Sequence, residues 1–255
     1  MDAGVKRELE AKVDAGERLT HEDGVALFAT DDLAWLGRLA HHKRTALHGD
    51  RAMFAVSPQP DAPDACPAGD DSRWAEWSGD QRSAHAEGAR TRATMLYGQG
   101  EEPQQRVGHL LRLRELQDET GGFAAFVPLR HQHDPDAEPA GGARAVSPAE
   151  SLKTFAVSRL LFDNVPHVEC HWAVFSPALA QFSLNFGADA LDGPVTPDAG
   201  AEGAPAALQL DDLLELIRDA GFRPVERDSS YAIVREHDGP VPLAERRSEP
   251  QQVWA

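Results

Sequence analysis

Cysteine is nearly missing from this sequence: Cys66 and Cys170 are the two among 255 residues. That excludes a disulfide-stapled scaffold and any site built wholly from one chain's cysteines, such as a four-cysteine zinc centre. It also makes a reducing cytoplasm the expected compartment. Positive charge is scarce as well. Lys and Arg number 25 against 42 Asp and Glu, a formal net charge of −17. Phosphate-rich partners need a basic face, so neither nucleic acid nor an anionic membrane is an expected partner. No apolar run approaches the roughly 18 residues of a membrane-crossing helix. The opening segment MDAGVKRELEAKV is polar and carries no hydrophobic stretch of the kind found in a secretory leader. Walker loop, GxSxG elbow, HExxH pair and zinc-finger spacing are absent, which weakens the enzyme classes they mark. Hydrophobic residues make up 41%, enough for one core.

What is present is ordered unevenly. Thr20–Asp23 has capping-box spacing, and Thr30-Asp31-Asp32 opens a second helix that stops at Gly49. RAMFAV (51–56) reads as a short strand. Four prolines fall within 57–72 and exclude regular structure there, and the weak signal continues to about Gly88. Beyond Arg92 the pattern sharpens. ATMLYG (93–98) predicts a strand, and Pro103–Thr120 a helix stopped by Gly121. FAAFVPL (123–129) predicts a second strand, and Ser147-Pro148-Ala149-Glu150 a full capping box opening a helix to about Asp163. HVECHWAVF (167–175) predicts a third strand, and Ser176-Pro177 a helix ending at Gly187. A Gly/Pro/Ala linker (192–209), an amphipathic helix (210–220) and a hairpin (222–227 with 231–235) complete the chain, with a loose tail after His237. Strands alternating with helices over 92–187 argue for right-handed parallel crossover units.

Several residue groups are candidates for chemistry. His167, Glu169 and His171 alternate along one strand and therefore share a face. His131 and His133 follow the neighbouring strand, so five N and O donors could converge on Zn²⁺ or Fe²⁺, although His167 opens its strand while His131 and His133 follow theirs. The alternative is a set of solvated polar residues at the rim of a sheet. Asp31-Asp32 and Asp211-Asp212 stand at helix starts, where they favour the helix dipole. Trp74 and Trp77 cover a sheet edge or mark a partner contact. Cys66 lies in the proline-rich loop and is either an exposed thiol or a remnant ligand.

Ala15–Ala40, Arg90–Tyr97, His109–Leu129, Leu152–Val168, Leu184–Gly193 and Pro224–Tyr231 together resemble the aminofutalosine synthases, radical S-adenosylmethionine (SAM) enzymes of the futalosine route to menaquinone. The resemblance covers about two thirds of the chain. It implies a (β/α) barrel and a 4Fe–4S cluster held by CxxxCxxC after the first barrel strand. SAM would sit on the open iron. It also implies that the end of the strand at Tyr97 and Gly98 faces the SAM cavity, with glycine allowing close approach of a ligand to the backbone. This sequence departs from the family where the cluster belongs. After RAMFAV the loop holds Cys66 alone, the early barrel units are missing, and the pattern resumes near Arg90. The usual Phe-His-Pro after Pro128-Leu129 is replaced by Arg130-His131-Gln132-His133.

The expected fold is therefore α/β, an incomplete or open (β/α) barrel of radical SAM type with a C-terminal helix and hairpin. Its expected divisions are N-terminal helices (1–50), an irregular segment (51–89), a β/α half-barrel (90–191), a linker (192–209) and a C-terminal helix, hairpin and tail (210–255). The expected function is that of a degenerate aminofutalosine synthase-like protein without radical SAM activity by itself. An interaction partner of an intact synthase and a metal-dependent enzyme using the histidine set are the alternatives. No cofactor is firmly expected, and a homo-oligomer or an intact synthase is the expected partner.

Overall fold

A computed structural model describes residues 1–56, 66, 71–131, 146–196 and 208–241. Three helices open the chain: α1 (Ala3–Asp14), α2 (His21–Ala29) and α3 (Leu33–His48). The Thr20–Asp23 capping box forms in both directions, with Thr20 Oγ1 accepting from the Asp23 N–H and the Asp23 carboxylate from the Thr20 N–H. Strand β1 (Arg51–Phe54) follows, then α4 (Asp71–Ala86). The alternating core comprises β2 (Thr91–Tyr97), α5 (Pro103–Thr120), β3 (Phe123–Arg130), α6 (Pro148–Leu161) and β4 (His167–His171). After β4 come α7 (Trp172–Phe175), α8 (Pro177–Ser183), a 3₁₀ turn (Leu184–Phe186) and β5 (Ala190–Asp192). A small pair, β6 (Val195–Thr196) with β7 (Leu208–Gln209), leads to α9 (Leu210–Asp219) and the antiparallel hairpin β8 (Arg223–Arg227) and β9 (Ile233–Glu236).

The main sheet has seven strands in the order β2-β3-β4-β5-β1-β8-β9, parallel except for β9. The first strand of the chain thus lies inside the sheet, between β5 and β8, and the sheet ends at β2 and β9. It is an open α/β barrel rather than a closed one. Helices α2, α3, α5 and α6 cover its outer side, and their apolar stripes merge with Phe126, Phe155, Phe162 and Val168 into one core. The fit between α3 and the 3₁₀ turn is close. A Cβ on Gly37 would lie 2.7 Å from the Phe186 ring, so glycine is what lets the helix approach.

Three expectations need correction. The segment 51–89 is not irregular throughout, because α4 occupies Asp71–Ala86. Trp74 packs edge-on against His109 and under Arg112, and Trp77 stacks on Phe123, so both tryptophans belong to the fold of this chain. The strand expected over 167–175 ends at His171, because Trp172–Phe175 coil into a helical turn whose Phe175 packs against Phe155. At Ser147 the hydroxyl accepts from the Glu150 N–H as expected, while the Glu150 carboxylate reaches across to Arg106 at 3.1 Å.

Candidate functional site

Strand alternation and parallel register sort the side chains of the sheet into two faces. Arg92 and Thr94 of β2, His167, Glu169 and His171 of β4, Asp192 of β5 and Arg227 of β8 share the concave face. Ions of both signs fill its middle. Glu169, fully buried, accepts from Arg227 at 2.5 Å, from the Tyr231 hydroxyl and from Arg92 at 3.4 Å. Arg92 also donates to Asp192 at 2.8 Å. Burial raises the Glu169 carboxyl above its ordinary value, while Arg227 and Arg92 pull the other way. Burial likewise holds the Tyr231 phenol far above its usual range, so it stays a neutral donor to Glu169. The concave middle of this barrel is therefore tied across by charge pairs from four strands.

The C-terminal end of the sheet, where sites of parallel α/β folds form, carries Tyr97 and Gly98. The Tyr97 ring points to the helix side, under the Arg106 guanidinium at 4.7 Å, and burial pushes its hydroxyl pKa up. Gly98 has φ of 92°, and a Cβ there would meet Val146 at 2.3 Å. The N–H groups of Gly98 and Gln99 donate to the two carboxylate oxygens of Glu101 at 2.7 and 2.8 Å, and Arg106 holds the same carboxylate at 2.6 Å. Two cavities flank this turn. One of about 580 Å³ is lined by Gly98, Glu101, Arg106 and Lys153, the other of about 640 Å³ by Tyr97, Gln105, His109 and Arg112.

The four candidate metal donors among the described residues do not converge. His133 lies outside the described residues. His131 follows β3, and its N–H donates to the Tyr97 carbonyl at 2.8 Å. His167 and His171 sit at opposite ends of β4, about 13 Å apart at roughly 3.3 Å per residue, and the Glu169 oxygens between them are occupied by Arg227, Arg92 and Tyr231. Among the described residues the donors that do come together are His48, His167 and Asp189, at the N-terminal end of the sheet. Of these only His167 stood out in the sequence. His48 ends α3 and Asp189 precedes β5, positions with no periodic or motif signal to link them.

The cluster implied by the resemblance needs three thiolates in one loop. Cys66 is not an exposed thiol. It bridges to Met95 beside β2, with its sulfur 2.7 Å from His109 Nε2, and burial raises its pKa while lowering that of His109 to about 4. This is a neutral thiol against a neutral imidazole. Cys170 is fully buried in β4, its thiol pushed up to about 12 by burial. The donor set of this chain does not fit a 4Fe–4S cluster.

Comparisons with known proteins agree with the fold. A family model described as the CofH/MqnC C-terminal region matches residues 120–238. The aminodeoxyfutalosine synthase of Streptomyces coelicolor is 36% identical over an alignment of 387 residues, covering 99% of this chain and 100% of the relative. Both ends align, so the excess over 255 residues lies inside the relative. The aminodeoxyfutalosine synthase of Thermus thermophilus is 41% identical over 169 residues, 64% of this chain and 45% of the relative; against that protein the chain spans under half the length. Among solved structures, the FeFe-hydrogenase maturase HydG superposes with a TM-score of 0.65 at 10% identity, covering 91% of this chain and 77% of that one. At that identity the likeness is one of fold.

Proposed function

Because this chain belongs to the aminodeoxyfutalosine synthase family, on the open α/β barrel of radical SAM type, we propose that it is a member without radical SAM activity of its own. The observation that carries this reading is the donor set. Two cysteines cannot supply the three thiolates of one cluster, and both are buried and held protonated. The filled concave face supports the same reading, because Arg92, Glu169, Asp192 and Arg227 satisfy one another where an enclosed reaction chamber would need room. The cradle at Gly98 is likewise taken, by Glu101. Membership of the menaquinone route is carried by ancestry rather than by any group at this site.

Anaerobic iron–sulfur reconstitution of the full chain, with iron and sulfide quantified, tests the proposal. The expected result is no stoichiometric cluster. Iron and sulfide at cluster stoichiometry, per chain or per oligomer, would overturn it.

The second reading, a binding partner for an intact synthase or for another copy of this chain, is supported by the ends of the sheet. All four residues of β9 are exposed, Ile233 and Val234 among them at 47% and 60%, and an exposed apolar edge strand is a pairing surface. Co-elution with an intact family member in size-exclusion chromatography would support it, and unchanged elution of both would count against it.

A further inference from the structure

We propose that His48, His167 and Asp189 form a binding site for a borderline divalent cation, best suited to Zn²⁺, that clamps the N-terminal helices to the sheet. One donor atom from each residue lies within 4.8 Å of the other two. Asp189 Oδ2 is 2.6 Å from His167 Nδ1 and 3.6 Å from His48 Nε2. Donors about 2.0–2.1 Å from a tetrahedral ion stand roughly 3.3 Å apart. The two distances to Asp189 bracket that value, and the two imidazole donors lie within 4.8 Å of each other. In the metal-free state the His167–Asp189 and His48–Pro166 hydrogen bonds occupy these atoms. Binding exchanges both bonds for metal bonds and moves each imidazole proton to the other ring nitrogen.

The surroundings hold the three ligands in place, as outer-shell partners do. Arg159 and the Val168 N–H take Asp189 Oδ1, leaving Oδ2 toward the histidines. The Tyr231 ring stacks on His167 at 4.2 Å with an interplanar angle of 9°. Burial alone would raise the Asp189 carboxyl, but Arg159 and the histidines hold it well below the usual carboxylate range, so it is anionic. Burial lowers His48 to about 4, so the imidazole is neutral, the form a metal binds. A cavity of about 370 Å³, lined by His48, Asp189, Gly49 and Met53, opens the site to solvent and leaves room for a water ligand. Two imidazoles and one carboxylate favour Zn²⁺ over Mg²⁺ or Ca²⁺, which prefer all-oxygen ligands. The buried Arg159 opposes an added cation and caps the affinity.

The role of the ion is mechanical. It would join the last residue of α3, the first of β4 and the residue before β5, at the end of the sheet where α/β barrels keep stability rather than chemistry.

The test is calorimetric titration of Zn²⁺ into the chelator-treated full chain, with thermal melting alongside. One Zn²⁺ per chain and a rise in Tm are expected. His48→Gln, on the accessible end of α3, is expected to weaken binding at least tenfold and to abolish the Tm rise. His167→Gln is expected to do the same, and His171→Gln to leave both unchanged. Absence of saturable binding at millimolar Zn²⁺ would overturn the proposal. So would binding that survives His48→Gln intact, since the ion would then sit elsewhere.

Discussion

At the N-terminal end of the sheet, Asp189 is held at once by Arg159, the Val168 N–H and His167. At the C-terminal end, the Glu101 carboxylate is held as densely, by Gly98, Gln99 and Arg106, yet cavities of about 580 and 640 Å³ lie open beside it. The first arrangement joins three stretches of chain, α6, β4 and the residue before β5, in the core; the second stays local to one turn and one helix. The Streptomyces coelicolor relative carries additional residues inside the aligned span. The N-terminal end of the sheet is braced by contacts among the described residues, while the chain holds only two cysteines. In folds of this kind packing and chemistry draw on opposite ends of the same strands.

The strongest way to break this comparison is to remove an arginine at each end. Arg159 is fully buried and bonds Gly187, Pro166 and Asp189. Arg159→Met leaves Asp189 without its main countercharge, and a loss of about 3–5 kcal/mol in urea unfolding is expected. Arg106→Met, at the other end, frees carboxylates that are partly solvated, and about 1–2 kcal/mol is expected. Equal losses would refute the asymmetry.

Acid sharpens it next. His48 and His109, one at each end, are both lowered by burial to about 4 from 6.5. A depressed folded pKa means that the unfolded chain binds the extra proton first. The stability is full above pH 6.5 and is lost as pH falls toward about 4, by up to about 3 kcal/mol for each histidine. Urea midpoints at pH 7, 5.5 and 4.5 should flatten to a similar degree in His48→Gln and in His109→Gln. Flattening in only one would show that the other imidazole is solvated in the native state.

Gly98→Ala probes the C-terminal turn. At φ of 92° and 2.3 Å from Val146, the added methyl is expected to cost more than about 1 kcal/mol. A neutral result would mean that the turn relaxes freely into the adjoining cavity. The smallest effect tests the helix layer shared by both ends. Thr20→Ala removes the N-cap of α2, and about 1 kcal/mol is expected in the same urea assay.

Much of the fold was legible from the sequence because its signals are local. Pro103 and Gly121 bound α5 on both sides, and Gly221 follows the amphipathic α9. Helix α4 was not legible. Its inward side carries Trp74 and Trp77 but also Gln81 and His85, which bond to Thr91, so no apolar stripe announces it. The apolar run Trp172–Phe175 reads equally as strand or helix, and contacts from Arg130 to Val174 and Phe175 accompany the helical outcome. Of the candidate site, the shared face of His167, Glu169 and His171 followed from alternation alone. Their separation into an N-terminal donor, a buried ion-pair member and a C-terminal histidine depended on tertiary partners, Asp189 22 residues from His167 and Arg227 58 residues from Glu169.

By itself, the sequence determined the family, the alternation of strands and helices, and the lack of thiolates for a cluster, since each is a matter of residue identity and near-neighbour spacing. Only the tertiary structure decided which strand lies beside which, that β1 sits inside the sheet, that Glu169 is neutralised by Arg227 and Arg92, and that His48 and Asp189 join His167. Those are contacts between segments far apart in the chain, which form when burial brings them together and which no local pattern encodes.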